Sequence, residues 1–328
     1  MSKLTAINGE GLNILCATDD AYIPYCGIML TSLFENNKAY KINVYVLTDH
    51  ISIQSKKTLN ALADKYAQTI HVVTITAMQI HEKLHNCPIR IGDHVSLATY
   101  FRLFAPILLP ESLDKILYLD CDMIVNGVLD ELYNTPIDNA AVACVVDESL
   151  HDDAPYLRLG LSKETHYFNA GMLLINLKYW REHNVMERCL TCITRMADRL
   201  LFHDQDTLNI VLQDEKKFLP LKYNFQTGFL YHCTSLADEE RAEVLASASA
   251  PVVIHYTGPG KPWSKLSYHP YRDYYMYYRA ISLWKTFPLK KISFKERVRH
   301  YLLELIWRLG VKSRPQTYII SSQKFLQE

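Results

Sequence analysis

The chain has 328 residues and a mass of 37.9 kDa, enough for one large domain with an appendage. Apolar residues make up 49% and charged residues 21%, the balance of a chain with a full core, which excludes collagen-like, low-complexity and disulfide-miniprotein classes. Thirty-five basic and thirty-five acidic residues cancel, so no whole-chain charge points to nucleic acid, yet Lys285 to Glu328 alone hold ten Lys/Arg against three Asp/Glu.

In chain order, Met1 to Glu10 lack the apolar stretch of a signal peptide. Leu12–Ala17 (LNILCA) reads as a strand and leads through Thr18-Asp19-Asp20 into a helix past Met29 and Leu33. Ile42–Leu47 is the second strand, Ser52–Ala67 the second helix and Ile70–Ile75 the third strand. Ser96–Phe104 reads as a helix, Ile116–Leu119 as the fourth strand and Ala140–Val146 as the fifth. This alternation predicts an α/β fold with a mostly parallel central sheet and helices on both faces. Ligands of such sheets lie beyond the C-terminal ends of the strands, where Asp19, Asp120 and Asp147 stand. Beyond Asn169 come an apolar run, a helix over Tyr179–Leu200, another after Asp204, an acidic helix over Leu236–Ser249 and a last strand, Val252–Tyr256.

Charge and composition change over 265–290, which divides the chain into a body, 1–270, and a basic, amphipathic helical region, 271–328. Ser293 and Glu296 form a capping box. Phe294, Val298, Tyr301, Leu302, Leu305, Ile306 and Leu309 then mark one apolar helical face, and Gly310 ends it. Lys295, Arg297, Arg299, His300 and Arg308 take the other side. Such a helix packs on the body or lies on an anionic membrane surface. No run of about 18 apolar residues predicts a membrane-spanning helix. Eight scattered cysteines suit buried hydrophobes in a reducing compartment, and the lone CxxC of Cys189 and Cys192 lacks partners for a zinc site.

Four segments carry chemistry. Ile116–Leu119 ends in Asp120-Cys121-Asp122, whose two carboxylates point the same way from an extended chain and can hold Mg²⁺ or Mn²⁺. Phosphatases of the haloacid dehalogenase type also end a strand in DxD, but in the first strand and with a later Lys and acidic pair. His255-Tyr256-Thr257-Gly258-Pro259-Gly260-Lys261 combines an imidazole ligand, two glycines that let backbone amides approach an anion, and a cation. Tyr167-Phe168-Asn169-Ala170-Gly171 offers an amide beside two small residues. His203-Asp204-Gln205-Asp206 opens a helix, where acids are favoured whatever the function.

Together these segments resemble glycosyltransferase family 8, retaining enzymes of the GT-A type. ATDDAY, TYFRL, KILYLDCD, FNAGMLLINLKYWR, HDQDTLN and HYTGPGKPW occur in family order from about residue 12 to 265. The resemblance is to bacterial galactosyl- and glucosyltransferases that extend lipopolysaccharide or lipooligosaccharide cores. It implies a UDP-hexose donor, glucose or galactose, and a saccharide or glycolipid acceptor. It also implies a cytoplasmic place at the inner face of the bacterial membrane, reached through the basic tail.

Residue by residue, the resemblance implies that Ala17, Asp19 and Tyr22 hold the uridine and that Arg102 contacts the donor sugar or diphosphate. Asp120, Asp122 and His255 bind Mn²⁺, or Mg²⁺. Asn169, Asp204 and Gln205 line the donor sugar, with Gln205 nearest the anomeric carbon, while Gly258 and Lys261 hold the diphosphate. Asp147 borders the acceptor. Ala21 departs from the Asn of some members and removes one nucleoside contact. A metal-dependent phosphohydrolase and a non-catalytic sugar-nucleotide-binding protein are the competing readings. The intact DxD, His255 and Lys261 speak against the second.

Overall fold

The computed structural model describes residues 11–76, 97–149, 151–232, 237–291 and 293–309. Period-two alternation builds its central sheet. In β1 (Leu12–Ala17), Leu12, Ile14 and Cys16 join the apolar cluster on one face and Leu15 joins the cluster on the other. In β4 (Lys115–Leu119), Leu117 and Leu119 take the first face and Ile116 and Tyr118 the second. Strands that are apolar at every position must be covered twice. Helix Ile23–Asn36 covers one face with Ile28, Met29, Leu33 and Phe34, while Phe101, Trp180, Ile193 and Leu208 cover the other.

The remaining strands of this sheet are β2 (Ile42–Thr48), β3 (Thr69–Thr74), β6 (Val142–Val146), β7 (Phe168–Asn176) and β8 (Lys216–Phe218). The order is β3-β2-β1-β4-β7-β6-β8. β1 to β4 are mutually parallel, β7 runs antiparallel to β4 and β6, and β8 is parallel to β6. The mostly parallel sheet expected from the alternation is therefore present, with one reversed strand.

A second sheet of three strands begins just past the C-terminal end of β4. β10 (Val253–His255) is its centre, antiparallel to β5 (Met123–Val125) and parallel to β9 (Phe225–Gln226). The last strand expected from the sequence belongs to this small sheet.

Two helices differ from expectation for identifiable reasons. Leu97–Phe104 is 3-10 rather than α, and a short helix, Ala105–Leu108, follows; Pro106 has no N–H to bond Arg102 C=O, so one α-helix cannot run through. Ser96 lies outside the described residues. The helix expected over Tyr179–Leu200 is two, Leu177–Glu182 and Val185–Met196, because Asn184 turns to φ 49°, a left-handed conformation that Asn tolerates better than most.

The segment leading to the C-terminus is tied to the body. Trp284 presses on helix Ile23–Asn36 where Gly27 makes room; a Cβ there would lie 2.1 Å from the indole. Lys290 N–H donates to Trp263 C=O at 2.9 Å, and Lys265 N–H to Lys290 C=O at 3.2 Å. Helix Phe294–Arg308 then forms as the apolar stripe predicts. Of its apolar residues, Phe294, Val298, Tyr301, Leu302 and Leu305 are exposed, from 40% at Val298 to 78% at Phe294. No described helix is long and apolar enough to cross a membrane. Gly310 and the chain beyond it lie outside the described residues.

Candidate active site

The Asp-Cys-Asp segment is where the chain changes sheets. Asp120 N–H still donates to Gly171 C=O at 2.8 Å, extending the β4–β7 ladder, while Tyr256 N–H donates to Asp122 C=O at 3.0 Å, beginning the β5–β10 ladder. One carboxylate therefore belongs to each sheet, and His255, at the end of β10, meets both. Ligand atoms of Asp120, Asp122 and His255 lie within 4.8 Å of one another. Two hard oxygens and an imidazole suit a divalent cation. Gly171 leaves the space: a Cβ there would stand 2.4 Å from His255 Cε1 and 2.9 Å from Asp120 Oδ2.

Cations close the site on both sides. Lys261 Nζ lies 2.5 Å from Asp122 Oδ2, and His255 Nε2 is 3.3 Å from Asp122 Oδ1. Burial works to raise the Asp122 carboxyl, but Lys261 and His255 outweigh it and hold it well below the usual carboxylate range. Opposite, the buried Arg102 reaches Asp120 Oδ1 at 3.0 Å and Asp204 Oδ2 at 2.8 Å, and stacks 4.1 Å from the Tyr118 ring. Tyr118 hydroxyl also donates to Asp120 Oδ1 at 2.6 Å. Burial pushes the Asp204 carboxyl up to about 7 despite Arg102. Arg102 Nε gives its hydrogen bond to Thr99 C=O, so Asp204 Oδ2 has a charge beside it but no hydrogen bond.

A bulge in β7 supplies the third wall. Cys144 pairs with Leu173 and Val145 with Asn169, so Ala170 to Met172 loop out of register. The freed backbone binds site residues. Ala170 N–H donates to Gln205 Oε1 at 2.9 Å, and Ala170 C=O accepts from Arg102. Asn169 Nδ2 donates to Asp147 Oδ2 at 3.0 Å, and Gln205 Nε2 to the same oxygen at 3.2 Å. Asp147, expected to border the acceptor, is 7% exposed, and its other oxygen accepts from Ser149 N–H and Oγ.

Asp120, Asp122, His255, Lys261, Arg102, Asn169, Asp147, Asp204 and Gln205 thus form one connected cluster. Asp19, Tyr22 and Ala17 stand at its rim. Asp19 accepts from Tyr22 N–H at 3.0 Å, and Tyr22 sits edge-on to Trp263 at 6.2 Å. Burial, with Asp122 adding, raises the Tyr22 phenol. Ala17 C=O receives the Cys121 thiol at 3.6 Å. Gly258 has φ 69° with open space around it, so it is needed for backbone shape rather than room.

Several contributors escaped the sequence reading. The sequence marks Gly171 only as small. Asn224 lies just before β9, in a segment with no motif, and its Oδ1 is 3.0 Å from His255 Nδ1. Asp206 proves structural: Arg158 grips it at 2.6 and 3.1 Å, and Tyr167 hydroxyl and Phe202 N–H each donate to it at 2.7 Å.

A mostly parallel α/β sheet with an Asp/Asp/His cluster beyond its strand ends is an arrangement that glycosyltransferases use, and the comparisons place the chain among them. The sequence model described as "Glycosyl transferase family 8" matches residues 13–267, so the chain belongs to that family and is a glycosyltransferase. It is 28% identical over 315 residues to a lipopolysaccharide 1,2-glucosyltransferase of Escherichia coli K12, covering 94% of this chain and 91% of that protein. It is also 28% identical over 283 residues to a lipopolysaccharide 1,3-galactosyltransferase of Salmonella typhimurium, covering 84% and 80%. The galactosyltransferase LgtC, solved with donor and acceptor sugar analogs, shares the fold with a TM-score of 0.74 at 24% identity, covering 88% of this chain and all of that one.

Proposed function

We propose that the protein transfers glucose or galactose from a UDP-sugar to a cell-surface saccharide, with retention and with Mn²⁺ at Asp120, Asp122 and His255. The observation that carries this reading is the convergence of that ligand set with Lys261 on one side and Gln205 on the other. Relatives named as lipopolysaccharide glucosyl- and galactosyltransferases support the choice of sugar and of acceptor class.

A bound divalent cation supplies Lewis-acid neutralisation of the diphosphate. Lys261 adds a fixed positive charge where the leaving UDP becomes more anionic, and Gly258 lets backbone amides approach it. Ala17, Asp19 and Tyr22 hold the uridine. Asp204 and Asn169 stand on the donor-sugar side, Asp204 as the buried partner of Arg102 and Asn169 as the neighbour of Gly171. Gln205, an amide and so a weak nucleophile, stabilises a cation-like transition state while the acceptor hydroxyl attacks on the face that UDP leaves. Asp147 belongs to the acceptor side. Isolation of a glycosyl adduct on Asp204 or Gln205 would overturn the same-face route.

Of the region 271–328, the part up to Lys290 is packed on the catalytic unit through Tyr274, Tyr275, Tyr278 and Trp284, and the helix beyond it places that unit, 1–270, on an anionic membrane surface. The exposed apolar face of Phe294–Arg308 and the basic residues along it support this. The functional reading is tested by UDP release from a panel of UDP-hexoses with Mn²⁺, with and without EDTA. Turnover of one donor that EDTA stops is the expected result; release of phosphate from simple esters with no response to any UDP-sugar would replace it with a phosphohydrolase.

A further inference from the structure

His255 and Gln205 belong to different elements and to different halves of the site, yet one run of hydrogen bonds joins them. His255 Nδ1 meets Asn224 Oδ1 at 3.0 Å. Asn224 Nδ2 donates to Asn169 Oδ1 at 2.9 Å, and Asn169 Nδ2 donates to Asp147 Oδ2 at 3.0 Å. Gln205 Nε2 donates to that same Asp147 oxygen at 3.2 Å.

The direction of each bond is forced. Asn169 presents its NH₂ to Asp147 Oδ2, which accepts it. The Gly171 N–H only donates, and it bonds Asn169 Oδ1 at 3.0 Å, which fixes the same orientation independently. Asn224 must then offer Nδ2 to Asn169, which leaves its Oδ1 for His255. An oxygen at that place requires a proton on His255 Nδ1, so the neutral imidazole that would bind a cation offers its Nε2 lone pair on the ligand side. Asn224 is fully buried, so water does not compete for these bonds.

We infer that Asn224 is a positioning residue. It sets the tautomer and ring plane in which His255 meets a divalent cation, and through Asn169 and Asp147 it holds that ligand in register with Gln205. This inference rests on the metal-dependent transferase reading above.

The two bonds of Asn224 can be cut separately. Asn224→Ala removes both. Asn224→Asp keeps an oxygen for His255 Nδ1–H but sets its second oxygen against Asn169 Oδ1, which Gly171 prevents from turning away. On the full-length protein, Mn²⁺ affinity is measured by calorimetry without donor, kcat and donor KM by UDP release, and folding by melting temperature. Asn224→Ala is expected to bind Mn²⁺ about tenfold or more weakly than wild type, the usual effect of losing a partner behind a ligand. Asn224→Asp is expected to hold Mn²⁺ within about threefold of wild type while kcat falls about tenfold at little-changed donor KM. A folding role alone would lower both melting temperatures without separating Mn²⁺ affinity from kcat. Wild-type Mn²⁺ affinity in folded Asn224→Ala, or wild-type kcat in Asn224→Asp, overturns the inference, and the second arm decides if the alanine variant does not fold. Wild-type protein that neither binds Mn²⁺ nor releases UDP would instead overturn the transferase reading beneath it.

Discussion

The body and the terminal helix invert the usual division between core and surface, in opposite senses. At the strand ends, Arg102, Asp147, Asp204, Asp206 and His255 are each less than a tenth exposed. Along Phe294–Arg308, Phe294, Tyr301, Leu302 and Leu305 are each more than half exposed. The difference teaches what each region needs. Buried charge persists because its partners are specified atom by atom, as around Asp206 or between Arg102 and its two carboxylates, and such pairs fix geometry more than they add stability. The exposed stripe specifies only a face and a charge, which suits a surface rather than a shaped partner.

The comparison is broken most severely at the carboxylates. Asp120→Ala or Asp122→Ala should lower kcat by about a thousandfold, the upper range for removing a preorganised charge-stabilising group, while the protein still melts in one cooperative transition at a lower temperature. Near-normal turnover by UDP release would dismiss the ligand assignment. Gly171→Ala keeps every ligand residue but its Cβ would push on His255 and Asp120, and it should weaken Mn²⁺ binding about tenfold or more by calorimetry. Wild-type affinity would mean that the cradle does not matter.

Asp204 gives a smaller effect with a defined sign. Its folded value of about 7 lies above the ordinary value, so its contribution to stability is present at low pH and is lost as pH rises toward 7. In EDTA, wild type should lose about 1.4 kcal/mol per pH unit relative to Asp204→Asn between roughly pH 4 and 7, read from denaturant midpoints. Parallel pH curves for the two proteins would remove the raised value. Leu302→Asp should be the mildest for the body, within about 0.5 kcal/mol in stability, because the side chain is half exposed. The same change should cut binding to anionic vesicles about tenfold, since an apolar contact with the bilayer is replaced by a charge. Unchanged vesicle binding would leave the helix without its proposed surface.

The sheet was legible because β1, β2 and β4 are apolar at nearly every position and alternate with helical periodicities. The reversal of β7 was not, since a continuous apolar run says that a strand is buried on both faces but nothing of its direction. β5 and β9, three and two residues long, are too short to show a period. Asp120, Asp122, His255 and Lys261 stood out because their residue types follow strand ends. Asn169 stood out as an amide beside two small residues, while Arg102 and Gln205 gained roles only through the family resemblance. Asn224 carried no signal at all: what it does depends on two side chains, His255 and Asn169, that are 31 and 55 residues away in the chain.

The tie between Lys290 and Trp263 sets a length. From Lys290 to the first residue of the terminal helix is four chain steps, a reach of at most roughly 14 Å when fully drawn out. Trp263 is itself two residues from Lys261. A protein resting on that helix would be moored by a short line fastened beside its own diphosphate loop, so its search for acceptors would be confined to a thin layer above the surface, in two dimensions rather than three.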